Sequence, residues 1–153
     1  MDFRIIQSLL PNQPQNSYSN GSYEGVKVYF TEQTGVMAEA FASGKATFEA
    51  FTHYFVDDQI IAEVADPNYT GDDTQFAHVT LCAFYGDGVY IRAAYPQLAY
   101  IVAYLLVNKE LPIDDNTIIL DGAASKYLNM YSIPKERFIQ DVQTLANTIV
   151  PGS

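Results

Sequence analysis

The chain has 153 residues, which suits one domain spanning residues 1–153 and large enough to bury a core. Hydrophobic residues make up 48% and charged residues 17%, a balance that excludes an intrinsically disordered chain. The formal net charge is −10, and eight of the eighteen acids lie between residues 46 and 91, where there is no Lys or Arg. This charge disfavours nucleic acid and anionic membranes as direct partners and favours cationic ones.

The N-terminal quarter begins with a short element and continues as a loop. Residues 1–10 fit either a short helix or a strand, which Pro11 ends. Residues 11–25 are rich in Pro, Asn, Ser and Gly, which predicts a flexible polar loop. The N-terminus has no signal-peptide pattern and Cys82 is the single cysteine, so no internal disulfide can form. Both features favour a cytoplasmic location.

The middle of the chain predicts strands. Residues 26–32 form one strand by composition, and residues 36–55 fit either a helix or two strands broken near Gly44, with strands favoured. Two hairpins follow. The first joins strands 47–56 and 59–65 around Asp57–Asp58, and the second joins strands 76–85 and 88–94 around Gly86–Gly88.

The C-terminal third predicts helices. Pro96 should open a helix over 97–110, a strand covers 117–120, and residues 123–131 fit a helical turn or a returning strand. Ser132 and Pro134 indicate the start of a last helix over 135–149. Strands followed by helices predict an α+β fold: an antiparallel sheet of about four to six strands packed against C-terminal helices.

No motif predicts catalysis, a cofactor or a metal. The sequence contains neither a GxGxxG nor a GxxxxGK[ST] phosphate loop, and it has no GxSxG nucleophile elbow. Residues 66–77 resemble a calcium loop, but Ala77 occupies the position that requires a bidentate Glu. The adjacent aspartate pairs fall in predicted turns, where Asp bonds to nearby backbone rather than acting as an acid or base.

Three residues could support zinc or thiolate chemistry if the fold brought them together. His78 and Cys82 would share one face of a strand, and an adjacent strand could add His53. Structural zinc sites usually show closely spaced ligand pairs, which this chain lacks. We therefore interpret Cys82 as a small buried apolar residue.

Two surfaces remain as candidate binding faces. The acidic face is carried by the uncompensated carboxylates of the central stretch, namely Glu49, Asp57, Asp58, Glu63, Asp66, Asp72 and Asp73. The aromatic face is a crowd of tyrosines before and within the first predicted helix, namely Tyr85, Tyr90, Tyr95, Tyr100 and Tyr104. The alternative for the acidic face is a solvated surface without a partner, and the alternative for the aromatic face is a broad buried stripe of the core.

This profile predicts a small acidic, non-enzymatic module that binds another protein, most simply a basic one, as chaperones, immunity proteins and inhibitors do. One alternative is an enzyme or small-molecule-binding protein with a Tyr-lined pocket between the sheet and the C-terminal helices. A second alternative is a structural subunit of a homo-dimer or higher homo-oligomer.

Overall fold

The computed structural model describes residues 5–7, 26–31, 53–56, 61–63, 78–84 and 91–152. These residues form six strands and three helices. The strands are β1 (Ile5–Gln7), β2 (Val26–Thr31), β3 (Tyr54–Val56), β4 (Ile61–Glu63), β5 (Val79–Phe84) and β6 (Ile118–Leu120). The helices are α1 (Ile91–Asn108), α2 (Gly122–Met130) and α3 (Lys135–Ala146).

The six strands form one sheet in the order β1-β4-β3-β2-β5-β6. Four neighbouring strands, β3, β2, β5 and β6, run parallel to one another. Strand β4 pairs antiparallel with β3, and β1 pairs parallel with β4. The prediction of an antiparallel sheet is therefore wrong: the central sheet is parallel, and the fold is of the α/β kind.

The error lies mainly in the second predicted hairpin. Strand β5 pairs with β2 and β6, both parallel, and residues 91–94 belong to helix α1 instead of a strand. A parallel neighbour needs a crossover connection, and α1 provides it between β5 and β6. The first hairpin is confirmed in its pairing, since Val56 lies opposite Ile61 and Tyr54 opposite Glu63 in the antiparallel β3–β4 pair.

Both faces of the parallel strands are buried, which explains why their sequence misleads. In β2, Val26, Val28 and Phe30 are fully covered, yet Lys27 between them is also only 7% exposed. Strands covered on both faces belong in the interior of a layered α/β fold.

The helices pack on the sheet through their predicted apolar stripes. The stripe of α1 is buried at all five predicted positions, namely Leu98, Ile101, Val102, Leu105 and Leu106. Helix α1 begins earlier than predicted, so Pro96 lies inside it rather than at its start. Helix α3 confirms the last predicted helix and buries Phe138 and Val142 in the same core.

The segment 123–131, which the sequence left open between a helical turn and a returning strand, belongs to helix α2, and a tight turn follows it. Asp121 caps α2, and its Oδ1 accepts a hydrogen bond of 2.7 Å from the Ala124 backbone N–H. The turn at Tyr131–Ile133 includes Ser132 with φ at 59°, in the left-handed region. It brings α3 back across the N-terminal part of α1, where Tyr95 and Phe138 meet edge to face at 5.9 Å.

Several predictions fall outside the described residues. These are the loop over 11–25, most of the ambiguous stretch 36–55, and both hairpin turns. Within the described part of the chain, no helix is long and apolar enough to cross a membrane.

The connection between α1 and β6 depends on Thr117. Its hydroxyl donates to the Pro112 carbonyl at 2.7 Å and accepts from the Asp114 N–H at 3.1 Å, and its carbonyl accepts from Val79 N–H at 2.8 Å. We expect Thr117→Val to lower the free energy of unfolding by about 1 kcal/mol or somewhat more, because it leaves partly buried partners of the hydroxyl unsatisfied.

Thr117→Ser is the matched control for this experiment. It keeps the hydroxyl and removes only a methyl group, so it should cost clearly less than the valine variant in urea denaturation. Equal losses for the two variants would show that the hydroxyl's hydrogen bonds do not stabilise the crossover.

Candidate functional site

Polar side chains lie buried on the face of the sheet opposite α1. The register pairs Lys27 with Thr80 and Tyr29 with Cys82, so these residues alternate with the apolar core positions of β2 and β5. Thr80 and Cys82 are exposed by 0% and 1%, and the Thr80 hydroxyl makes no hydrogen bond to the part of the chain that the structure describes. Burial lowers the pKa of Lys27, and the neighbouring Cys82 partly opposes that shift.

His53 completes the start of strand β3 instead of projecting into a cavity. The Nδ1 of its ring accepts a hydrogen bond of 3.0 Å from the Lys27 backbone N–H, and the backbone N–H of His53 donates to the Lys27 carbonyl at 3.1 Å. The imidazole ring therefore takes the place of a backbone carbonyl in the ladder. Burial lowers the pKa of His53 to about 3, so the ring is neutral at physiological pH.

The suspected His–His–Cys metal site is not assembled. Strand β2 lies between β3 and β5, so His53 is separated from the strand of Cys82 by two strand spacings, about 9.5 Å. The residues that the structure describes contain no group of three His, Cys, Asp or Glu side chains able to hold a metal ion.

Cys82 is a buried thiol without thiolate character. Burial raises its pKa to about 12, and the Asp121 carboxylate, which accepts a hydrogen bond from the thiol, reinforces the shift. Lys27 and a hydrogen bond from Tyr29 act in the opposite direction but do not outweigh burial. A cysteine nucleophile needs a thiolate, so this environment argues against catalysis by Cys82.

A second group of polar residues surrounds an open pocket of about 380 Å³ among the helices. We call it the helix pocket. Its residues come from the N-terminal half of α1, from the α2–α3 turn and from the first two turns of α3, namely Tyr95, Tyr131, Ser132, Ile133, Arg137 and Asp141. It thus lies between helices rather than between the sheet and the helices.

One hydrogen bond organises the helix pocket. The Tyr95 hydroxyl donates to Asp141 Oδ2 at 2.5 Å, which joins two residues 46 positions apart. Burial and this bond raise the pKa of Tyr95, so its hydroxyl remains a neutral donor. Arg137 Nε lies 3.3 Å from both oxygens of the same carboxylate, one helical turn away on α3.

The α2–α3 turn is held just as firmly. Three backbone N–H groups, those of Tyr131, Ser132 and Ile133, donate to carbonyls of the last turn of α2 at 2.8 to 3.2 Å. These hydrogen bonds therefore fix the backbone positions of Tyr131 and Ser132 before a ligand binds.

The predicted aromatic face is divided by the structure. Tyr95 lines the helix pocket, whereas Tyr100 and Tyr104 form a separate tilted pair with ring centroids 6.2 Å apart. Tyr104 follows Tyr95 by nine residues and so projects from the opposite side of α1. Tyr85 and Tyr90 fall outside the described residues.

The acidic face stays a prediction, as does its basic partner. Six of its seven residues lie outside the described part of the chain, namely Glu49, Asp57, Asp58, Asp66, Asp72 and Asp73. The seventh, Glu63, is only 8% exposed, so it adds little charge to a surface.

Of the six pocket residues, only Tyr95 was identified from the sequence, and the other five were missed, namely Tyr131, Ser132, Ile133, Arg137 and Asp141. The spacing of Arg137 and Asp141, four residues apart in a predicted helix, was a usable signal, because such residues share one helix face. Their meeting with Tyr95 depends on how α3 crosses α1, and nothing in the local sequence encodes that crossing.

Comparisons with known proteins give one informative result. No protein-family model matches the chain, and no curated protein matches it. Among solved structures, it is similar to the hydrolase AmiA of Staphylococcus aureus, solved in complex with its ligand, with a TM-score of 0.61 and 18% sequence identity. The alignment covers 95% of this chain and 85% of that one. At this identity the likeness shows a shared fold.

This likeness overturns the prediction of a non-enzymatic protein-binding module, because the chain has the fold of a hydrolase. The alternative, an enzyme or small-molecule-binding protein with a Tyr-lined pocket, agrees better with the fold and with the helix pocket.

His53 should make stability depend on pH in a defined window. The native state keeps the ring neutral down to about pH 3, whereas the unfolded state binds a proton near pH 6.5, so acidification favours unfolding between these values. The contribution is about 1.4 kcal/mol per pH unit below the unfolded pKa.

We expect His53→Asn, whose Oδ1 can still accept from the Lys27 N–H, to flatten the loss of unfolding free energy between pH 6.5 and 4. Chemical denaturation of this variant and of the wild type at several pH values measures the two slopes, and an unchanged slope in His53→Asn would contradict this account.

Cys82 should behave as a packing residue. We expect the native thiol to resist alkylation by iodoacetamide and to react once the chain is unfolded, as followed by mass spectrometry. Cys82→Ala should cost about 1 kcal/mol or somewhat more, through lost packing, and should affect stability more than function. Rapid alkylation of the folded protein, or loss of function in a folded Cys82→Ala variant, would show that the thiol is reactive.

Proposed function

We propose that this chain binds a small molecule in the helix pocket, on a fold that it shares with a hydrolase. The observation that carries this proposal is the convergence of two tyrosines, an arginine and an aspartate on one open cavity. Binding sites are typically concave and partly aromatic, with a few polar groups placed to orient the ligand.

Pre-organisation supports the proposal. Tyr95 is held from two sides, by its hydrogen bond to Asp141 and by the edge-to-face contact with Phe138. The backbone of the α2–α3 turn is fixed by its own hydrogen bonds. Residues whose positions are set before binding lose little conformational entropy when a ligand arrives.

Hydrolysis of the bound molecule is a second candidate function, favoured by the likeness to a hydrolase. Asp141 would be the group to orient or deprotonate water, since it is a carboxylate at the edge of the cavity. In the unliganded protein this carboxylate already accepts hydrogen bonds from Tyr95 and Arg137, so a water molecule would have to share it with them.

The test is a search for fragments that bind the full chain, observed by two-dimensional ¹⁵N–¹H NMR. We expect bound fragments to shift the amide signals of Ser132, Ile133 and Arg137 more than those elsewhere. Tyr131→Ala, which removes one aromatic wall, should weaken binding by about tenfold, within the range of a buried aromatic contact.

Tyr104→Ala is the matched control, because Tyr104 is a half-buried tyrosine on the opposite side of α1. It should leave fragment affinity unchanged. Fragments that bind only elsewhere, or that bind the Tyr131→Ala variant as well as the wild type, would contradict the proposed function. Hydrolysis of a bound ester or amide by the wild type, but not by Asp141→Asn, would favour the hydrolytic candidate.

A further inference from the structure

In the helix pocket the charged acceptor is already engaged, whereas several donors are not. Asp141 supplies its charged acceptor group, and both carboxylate oxygens already accept from Arg137 Nε, one of them also from the Tyr95 hydroxyl. A ligand that offered donors would therefore have to share this carboxylate with partners that are already in place. Acceptors on the ligand face no such competition.

Arg137 is the source of the remaining donors. Its guanidinium uses only Nε within the described part of the chain, so its two terminal Nη groups, with four N–H bonds, are available to a ligand. The side chain is 65% exposed, which lets it reach over the pocket opening. Ser132 also lines the pocket, and its side chain carries a hydroxyl that can donate.

The position of Arg137 adds a second reason for acceptors to bind here. It is the third residue of α3, and Pro134 caps this helix without any side-chain hydrogen bond to the first turn. The unsatisfied N–H groups of a helix start carry a positive partial charge, which favours a negative group nearby. The fork of an arginine and the dipole of the first turn thus act in the same direction.

The remaining lining is apolar in character. Tyr95 and Tyr131 present rings, and Ile133 presents an aliphatic side chain that also contacts the core. A ligand that fits both parts combines a flat or apolar body with one compact acceptor head.

We propose that the helix pocket takes a small anion with an aromatic or apolar body, its acidic head group accepting bidentate hydrogen bonds from the Nη groups of Arg137. This inference rests on the proposed function and names the chemical class of its ligand. A planar carboxylate matches the guanidinium fork most closely, and a phosphate monoester offers the same acceptor chemistry.

The test compares four probes of similar size on the full chain: benzoate, phenyl phosphate, benzamide and benzylamine. Their affinities are measured by NMR titration, from the amide signals of Ser132, Ile133 and Arg137. We expect at least one anion to bind about tenfold more tightly than neutral benzamide, since a charged partner strengthens hydrogen bonds by that order. Benzylamine should bind most weakly.

Variants assign the preference to Arg137. Arg137→Gln should reduce anion affinity by about tenfold or more and leave benzamide nearly unchanged, while Arg137→Lys should fall between, because it keeps the charge without the fork. Lys126→Gln is the matched control: it removes an exposed cation of α2 that does not line the pocket, and anion affinity should stay as in the wild type.

The outcomes separate the two proposals. Binding of benzamide or benzylamine at the pocket as tightly as the anions, or anion binding unaffected by Arg137→Gln, overturns the ligand class and leaves the site in place. If none of the four probes shifts the pocket signals up to its solubility limit, the proposed function falls together with this inference.

Discussion

The parallel pairing of β5 with both of its neighbours, β2 and β6, is the constraint on which the rest of this structure depends. Two parallel neighbours cannot be joined by a tight turn, so the chain must leave the sheet, cross one face and return. Between β5 and β6 that crossing is α1, whose five buried stripe residues cover the apolar side of β2 and β5. The position of α1 in turn gives α3 its packing surface, through Phe138 and Val142.

The helix pocket is a product of this second layer of packing. Tyr95 belongs to the crossover helix and Asp141 to the last helix, and their hydrogen bond forms only because α3 returns across the start of α1. The same carboxylate orients Arg137 from the next turn. Recognition chemistry and helix docking therefore share one set of contacts, so a substitution at Asp141 would alter both together.

Many of the helices and strands could be predicted from the sequence, but the order and direction of the strands in the sheet could not. The stripe Leu98–Ile101–Val102–Leu105–Leu106 predicted α1 because a long amphipathic pattern has one simple interpretation. The Asp57–Asp58 turn predicted the antiparallel β3–β4 pair because the two partners are close in sequence. Strand β2, however, pairs with residues about 50 positions away, and strand direction leaves no local mark in composition.

The polar residues show the same limit. By residue type alone His53 was one of three residues that could have supported zinc chemistry, whereas its ring accepts a hydrogen bond from the Lys27 N–H, which depends on strand order. The Gly86–Gly88 segment predicted a hairpin turn, but the next element after β5 is helix α1, and β5 pairs with β2 and β6. In both cases the decisive information was which strand lies next to which.

Pro96 has a consequence for the cooperativity of the molecule. Within α1 it cannot donate to the carbonyl of Arg92, so the first turn is held to the body of the helix by one hydrogen bond fewer. Amide hydrogen exchange should reveal this as a sub-global unit: the turn before Pro96 exchanges through a smaller opening free energy than the segment that ends at Asn108. Tyr95 sits at the junction between these two units. A molecule bound to it would therefore slow exchange in the weaker unit as well as raise the free energy of global unfolding, and the local protection would report occupancy of the pocket.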